Sequence, residues 1–241
     1  MLIADAVGGS LPSAVTDDPA ILGIIGASLL AVVAGYLVYS RVIAPPGKRF
    51  ARALKSADEI AVLMHPNPDP DAMSSALGAK AIADGVDTET TLYYPGQIRH
   101  HENRAFETVL DVEFERIESA GEISEQDVIL VDHNEPRGFE NAESVDPVAV
   151  VDHHPGSGTG ESFSDVRTDH GACATIFSEY LRQLGREPIH PEEANGENDP
   201  ETVPPRVATA LIHGIQSDTK HLTNGCSAAE FDAASFLYRG I

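Results

Sequence analysis

VAVVDHHPG (Val148–Gly156) sets four apolar residues directly before an acid and two imidazoles. A short, unbroken apolar run rich in valine suits a strand buried on both faces, as in a parallel sheet. The polar triplet then falls where that strand meets a loop. Two adjacent histidines cannot both face one core, so something outside the core must orient them.

The same grammar recurs along the chain. EIAVLM (59–64) gives way to HPNPDPD (65–71), and DVILV (127–131) to DHNE (132–135); TETTLYY (88–94) is a further strand. Between them, AMSSALGAKAIADG (72–85) has helical spacing with Gly85 as its stop. HENRAFETVL (101–110), CATIFSEYLRQLG (173–185), VPPRVATALIHG (203–214) and SAAEFDAASFLYRG (227–240) continue the alternation. Strand and helix in turn predict an α/β fold, a doubly wound and mostly parallel sheet. REPIHPEEANGENDPETVPP (186–205) is too polar and too rich in Pro, Glu and Asn to pack, and reads as a solvated surface loop.

In an open parallel sheet the carboxyl ends of the strands share one edge, where such folds bind ligands. That edge would gather His65, Asp69 and Asp71 from the first segment, Asp132 with His133 as a further candidate from the second, and Asp152, His153 and His154 from the third. Asp218 in HGIQSDTKH follows an apolar helix and can reach the same place. So many carboxylates together repel one another unless cations neutralise them. Aspartate oxygens with imidazoles and no thiolate suit Mn²⁺ better than Mg²⁺ or structural zinc. A pair of ions about 3.5 to 4 Å apart, bridged by one carboxylate, would activate water and clamp a phosphoryl group. Each piece has a plainer meaning alone: HxxxD also describes a capped turn, and His213, His221 and Cys173 read better as surface or packing residues.

Composition narrows the class. The 241 residues leave room for one sizeable domain and an appendage, with 42% hydrophobic residues for a core. Acids outnumber bases 38 to 16, for a formal charge of −22. This predicts repulsion from a long nucleic-acid duplex and suits a halophilic cytoplasm. Cys173 and Cys226 stand too far apart for a CxxC motif, which argues against a zinc ribbon or disulfide scaffold.

Pro19 to Ser40 carries no charge and is long enough to cross about 30 Å of hydrocarbon. Asp5, Asp17 and Asp18 precede it; Arg41, Lys48, Arg49, Arg52 and Lys55 follow. The positive-inside rule therefore predicts residues 1–18 outside, a transmembrane helix over 19–43, a basic linker over 44–57 and a cytoplasmic domain over 58–241. Such a protein is a single-pass protein of the cell membrane, with the bilayer as a partner through residues 19–43.

HPNPDPDA, VILVDHNEPR, VAVVDHHP and GIQSDT resemble, in this order, the four signature motifs of the DHH phosphoesterase superfamily. That group includes RecJ exonucleases, oligoribonucleases, cyclic di-AMP phosphodiesterases, exopolyphosphatases and class II pyrophosphatases. The resemblance implies a two-manganese site, with Mg²⁺ or Co²⁺ as substitutes. By motif, His65 and Asp69 would hold the first ion and Asp71, His153 and Asp218 the second, with Asp132 bridging. His154 would face the phosphate with Asp152 supporting the neighbouring ring, making His154, Asp152 and Asp132 the catalytic set.

RHHENRAF (99–106) resembles a stretch of phosphodiesterase-type members, which implies substrate contacts from His101, Asn103 and Arg104. An amphipathic helix start explains it nearly as well. Ser74 and Ser75 begin a helix where an anion can bind, or where hydroxyls simply cap it. Family members normally carry a second, substrate-selecting domain after this one, and here the chain stops at FLYRGI, so that domain is expected to be missing. The expectation is a membrane-anchored, manganese-dependent phosphodiesterase acting on a short oligonucleotide or a cyclic dinucleotide, with a homodimer among its partners. A pyrophosphatase or exopolyphosphatase, favoured by the wording VDHNE, is the enzymatic alternative; a non-catalytic, membrane-tethered nucleotide-binding module is the other.

Overall fold

The computed structural model describes residues 19–39, 43–99, 101–193 and 199–241, with backbone alone for His101 and Glu102. The chain divides into two compact units, Met1–Ala44 and Pro45–Ile241. The first contains helix α1 (Pro19–Val38), whose 20 residues include no charge and whose large side chains, Leu29, Leu30 and Val32 among them, are exposed. By length and composition α1 can cross a membrane. It ends at Val38, short of the expected 43, and residues 40–42 of the expected span lie outside the described residues.

The second unit is built on six parallel strands in the order β3-β2-β1-β4-β5-β6. These are β1 (Glu59–Leu63), β2 (Glu89–Pro95), β3 (Glu115–Ile117), β4 (Asp127–Val131), β5 (Ala149–Asp152) and β6 (Phe163–Val166). The chain winds outward from β1 through β2 to β3, then returns to lay β4 against the other side of β1, pairing Val62 with Ile129. The reversal makes the carboxyl ends of β1 and β4 a topological switch point, where a crevice opens in such sheets. β3 and β6 were not legible as strands, because these short edge segments mix charged with apolar residues and lack a continuous apolar run.

Alternation along the strands splits the core. Ile60, Val62, Met64, Ile129, Val131 and Val151 face one side, where the helices supply the rest of the larger core cluster. Ala61, Leu63, Val128, Leu130 and Val150 face the other, where partly buried Ile123, Phe139 and Val145 from the connections cover them. The helices of this unit are α2 (Pro46–Leu54), α3 (Pro70–Asp84), α4 (His101–Leu110), α5 (Cys173–Gln183), α6 (Pro205–Asp218) and α7 (Ala228–Leu237).

The stretch 44–57, expected as a basic linker, contains α2 and is packed rather than extended. Gly47, Phe50, Ala51 and Leu54 are buried at helical spacing, while Lys48, Arg52 and Lys55 stay exposed. Phe50 enters an aromatic cluster, with ring centroids 5.5 Å from Phe163, 5.7 Å from Phe177 and 5.4 Å from Tyr180. The polar loop 186–205 is also anchored at its ends. Glu187–Pro188 pairs in parallel with Thr202–Val203, and the Arg186 guanidinium donates to the carbonyls of Ala81 and Ile82 near the end of α3.

One close approach matters for the site. At Gly214 of α6 a Cβ would come 2.1 Å from Ser74 Oγ and 3.1 Å from Ala174 Cβ. Glycine there lets α6 press onto α3 and α5, bringing Asp218, one turn on, near Asp71 in the first turn of α3.

Candidate metal centre

Three segments leave the sheet at the switch point with their ligand-type side chains already directed. After β1, Asp69 is the N-cap of α3: its Oδ1 accepts from the backbone N–H groups of Asp71 (3.1 Å) and Ala72 (3.0 Å). Its Oδ2 remains for His65, whose Nε2 lies 3.6 Å away. Asp71 is completely buried and accepts from the N–H groups of Cys173 (2.6 Å) and Ala174 (2.8 Å) at the start of α5, where a carboxylate is favoured. After β4, Asp132 takes a left-handed backbone (φ 61°) while its N–H still donates to Val151. That costly conformation turns the carboxylate into the crevice instead of along the strand.

After β5, the Asp152 Oδ1 accepts from the N–H groups of His153 (2.8 Å) and His154 (3.0 Å) and from His154 Nδ1 (3.0 Å). These bonds set the two adjacent histidines in different directions, their ring centroids 4.2 Å apart. His153 turns inward and His154 stays half exposed. His65 Nδ1 lies 3.0 Å from the Pro66 carbonyl and His153 Nδ1 3.2 Å from that of His170. Each ring thus spends Nδ1 as a donor, and its Nε2 is left for a ligand.

Asp132 is the shared member. Its Oδ2 is 3.4 Å from His65 Nε2 and its Oδ1 3.3 Å from His153 Nε2. Three groups of potential metal ligands result: His65, Asp69 and Asp132; Asp71, His153 and Asp218; and Asp132, His153 and His154, the donor atoms of each lying within 4.8 Å of one another. Both carboxylate oxygens of Asp132, and His153 Nε2, are buried without a hydrogen bond among the described residues; the contacts of Asp132 with His153 and His65, at 3.3 and 3.4 Å, are close but off-line. A buried carboxylate left unsatisfied on both oxygens is expensive, and cations on either side of it would remove that cost. The donor set, oxygen and imidazole without thiolate, fits a divalent metal.

Without cations the charges must settle among themselves. Burial opposes the charged ring of His65, but Asp132 and Asp69 override it and push the group up to about 10. Burial likewise opposes His153, and Asp132 lifts it to about 9. Burial disfavours the charge of Asp132 too, yet contact with His153 and His65 holds its carboxyl well below the usual range. Asp71 is driven well above its ordinary value by burial and by the charges of Asp132 and Asp218. Asp218 rises to about 7 through burial and the charges of Asp69 and Asp132. His133 moves the other way: burial lowers it to about 4, so it stands neutral behind His65, its Nδ1 2.9 Å from the Val131 carbonyl.

The proposed substrate contacts fare differently. Ser74 and Ser75 are fully buried. The Ser74 hydroxyl donates to the Asp71 carbonyl (3.0 Å) and sits against Gly214, the helix-capping alternative for this residue, while the Ser75 hydroxyl is buried with no hydrogen-bond partner among the described residues. Asn103 is buried and donates to the Pro68 carbonyl (2.9 Å), which makes it a brace for the loop carrying His65 and Asp69. Arg104 is exposed, and the His101 side chain lies outside the described residues. Asn134, which sequence reasoning passed over, is buried and ties the second segment to the third by donating to Asp152 Oδ2 and to the His154 carbonyl. Its place in the quoted VDHNE run was the available signal.

Residues 59–215 match the DHH family, N-terminal domain. The chain belongs to the DHH family. An uncharacterized protein of Methanocaldococcus jannaschii is 30% identical over 196 residues, which are 79% of this chain and 38% of that protein. The cyclic-di-AMP phosphodiesterase PdeA of Listeria monocytogenes is 28% identical over 195 residues, 76% of this chain and 28% of PdeA. The DHH chain thus spans well under half the length of these relatives. Among solved structures, a putative family II inorganic pyrophosphatase of Methanococcus jannaschii superposes with a TM-score of 0.56 at 24% identity, covering 74% of this chain and 54% of that one. An exopolyphosphatase-related protein from Bacteroides fragilis superposes with a TM-score of 0.54 at 14% identity, covering 81% and 56%. At those identities the likeness speaks for the fold alone.

Proposed function

We propose that this DHH chain hydrolyses a phosphodiester bond of a small nucleotide, a short oligonucleotide or a cyclic dinucleotide, at a centre of two divalent cations. The observation that carries the reading is Asp132, buried between two ligand groups with neither oxygen satisfied. In the proposed assignment His65 and Asp69 bind one ion, Asp71, His153 and Asp218 the other, and Asp132 both. Manganese is the first choice, with Mg²⁺ or Co²⁺ as substitutes. Bound there, the ions would activate water and neutralise charge on the phosphoryl oxygens. His154, half exposed and held through Nδ1 by Asp152, would meet the phosphate or protonate the leaving oxygen through Nε2.

The substrate class rests on the phosphodiesterase-like wording RHHENRAF and on the similarity to PdeA. The apolar α1 followed by basic residues supports a single-pass anchor with the centre on the cytoplasmic side, and the charge of −22 supports a high-salt cytoplasm. The test is turnover with Mn²⁺ of a cyclic dinucleotide, a dinucleotide monophosphate and pyrophosphate, side by side. Hydrolysis of either phosphodiester supports the reading. Pyrophosphate cleavage alone would replace it with a phosphoanhydrase, and nucleotide binding without turnover would leave a tethered binding module.

A further inference from the structure

We propose that Arg167, Glu179 and His170 form a positioning device that fixes the His153 ring through the His170 carbonyl. The inference rests on the two-cation reading above and adds residues that belong to none of its ligand groups. His153 Nδ1 is oriented by a main-chain oxygen, and a main-chain oxygen is only as well placed as its loop. That loop, residues 167–172, joins β6 to α5 and has no regular structure of its own.

Side chains supply the missing rigidity. Arg167 forks onto Asp165 at the end of β6 through Nε (2.9 Å) and Nη2 (2.7 Å), and reaches Glu179 on α5 through Nη1 (2.6 Å). The second oxygen of Glu179 takes the His170 ring Nε2 at 3.2 Å, while Asp169 stands 3.3 Å from the Nδ1 of the same ring. Asp165 is held in turn by the Tyr180 hydroxyl. Beyond His170, the Gly171 N–H donates to buried Glu230 at 2.8 Å. The Arg167, Glu179 and His170 side chains are only 17%, 19% and 10% exposed, so these contacts are screened far less than surface ion pairs. Networks of this kind add little net stability, but they restrict geometry.

The arrangement also joins the two supports of the second ligand group. α5 holds Asp71 at its N-terminal N–H groups and, one and a half turns later, holds the loop behind His153 with Glu179. One helix therefore sets the separation of two ligands from different strands.

The test is calorimetric titration of the full chain with Mn²⁺, with melting temperature read on the same samples. His170→Ala keeps the carbonyl and removes only the ring that pins it. It should weaken by about tenfold, the low end for loss of an outer-shell partner, the binding step that Asp218→Asn also weakens, and leave the other step unchanged. Glu179→Gln should weaken the same step. His170→Gln, whose amide can still donate to Glu179, should restore it. Should His170→Ala not fold, Glu179→Gln and His170→Gln decide. A lowered melting temperature with both binding steps at wild-type strength would overturn the positioning role alone. A wild-type chain that binds fewer than two ions would overturn the two-cation reading with it.

Discussion

Two regions of this domain place large side chains inside the fold and differ in what burial leaves undone. In the aromatic cluster of Phe50, Phe163, Phe177 and Tyr180, rings meet at 5.4 to 6.2 Å, and the single polar group, the Tyr180 hydroxyl, is paired with Asp165. At the rim, the Asp132 carboxylate is as deeply placed and the His153 ring, 11% exposed, buries its Nε2, yet three of their polar atoms have no hydrogen bond among the described residues, and Asp71 and Asp218 are pushed up by burial and by neighbouring carboxylate charge. Satisfied burial stabilises a fold, whereas unsatisfied burial of charge marks the place where a ligand completes the molecule.

The sharpest way to break the comparison is at Asp132. Asp132→Asn keeps the shape and tolerates the left-handed backbone but removes the shared charge. Turnover should fall by about a thousandfold or more in a chain that still unfolds cooperatively; retained turnover would sink the bridging role. The converse change is Phe50→Ala. Emptying that ring site should cost about 3 to 5 kcal/mol of stability, read by denaturant unfolding, while Mn²⁺ affinity stays as it was. Were affinity to collapse with stability still high, the two regions would not be separate in the way described.

Gly214→Ala probes the joint between them. The new methyl must push against Ser74 and Ala174, at a cost of about 1 to 3 kcal/mol. Because α6 carries Asp218, cation affinity should weaken along with stability. A loss of stability alone would show that the helix contact and the ligand geometry are uncoupled.

The pH response is a trend rather than a loss, and its sign is definite. His153 at about 9 and His65 at about 10 are raised above the ordinary histidine value, so their contribution to metal-free stability is complete below about pH 6.5 and is lost as pH rises through those values. A cation must displace the same protons, so its affinity climbs with pH, by at most about tenfold per unit for each proton released. The melting-temperature gap between Mn²⁺-loaded and metal-free protein should therefore widen between about pH 6.5 and 8.5. A constant or narrowing gap would mean that these rings are neutral before the metal arrives.

How much of this was legible follows the same division. β1, β4 and β5 announce themselves because strands buried on both faces need unbroken apolar runs, and the residues that end them had to share an edge. α2 was hidden, since its Lys and Arg face masks a four-residue apolar stripe whose meaning depends on rings contributed by β6 and α5. Ser74 and Ser75 left two readings open because a helix start looks alike whether it meets an anion or another helix, and the approach of α6 to Ser74 is a tertiary contact with no sequence signal. Asn134 and the Arg167–Glu179–His170 contacts escaped notice because side-chain bonds between segments leave no periodic trace in sequence.

The most direct measurement is the electron paramagnetic resonance of the chain loaded with Mn²⁺, with bound ions counted in the same sample. Two ions per chain with an exchange-coupled spectrum, as expected for centres about 3.5 to 4 Å apart, would match Asp132 shared between two ligand groups. One ion per chain, or two that report no coupling, would contradict it.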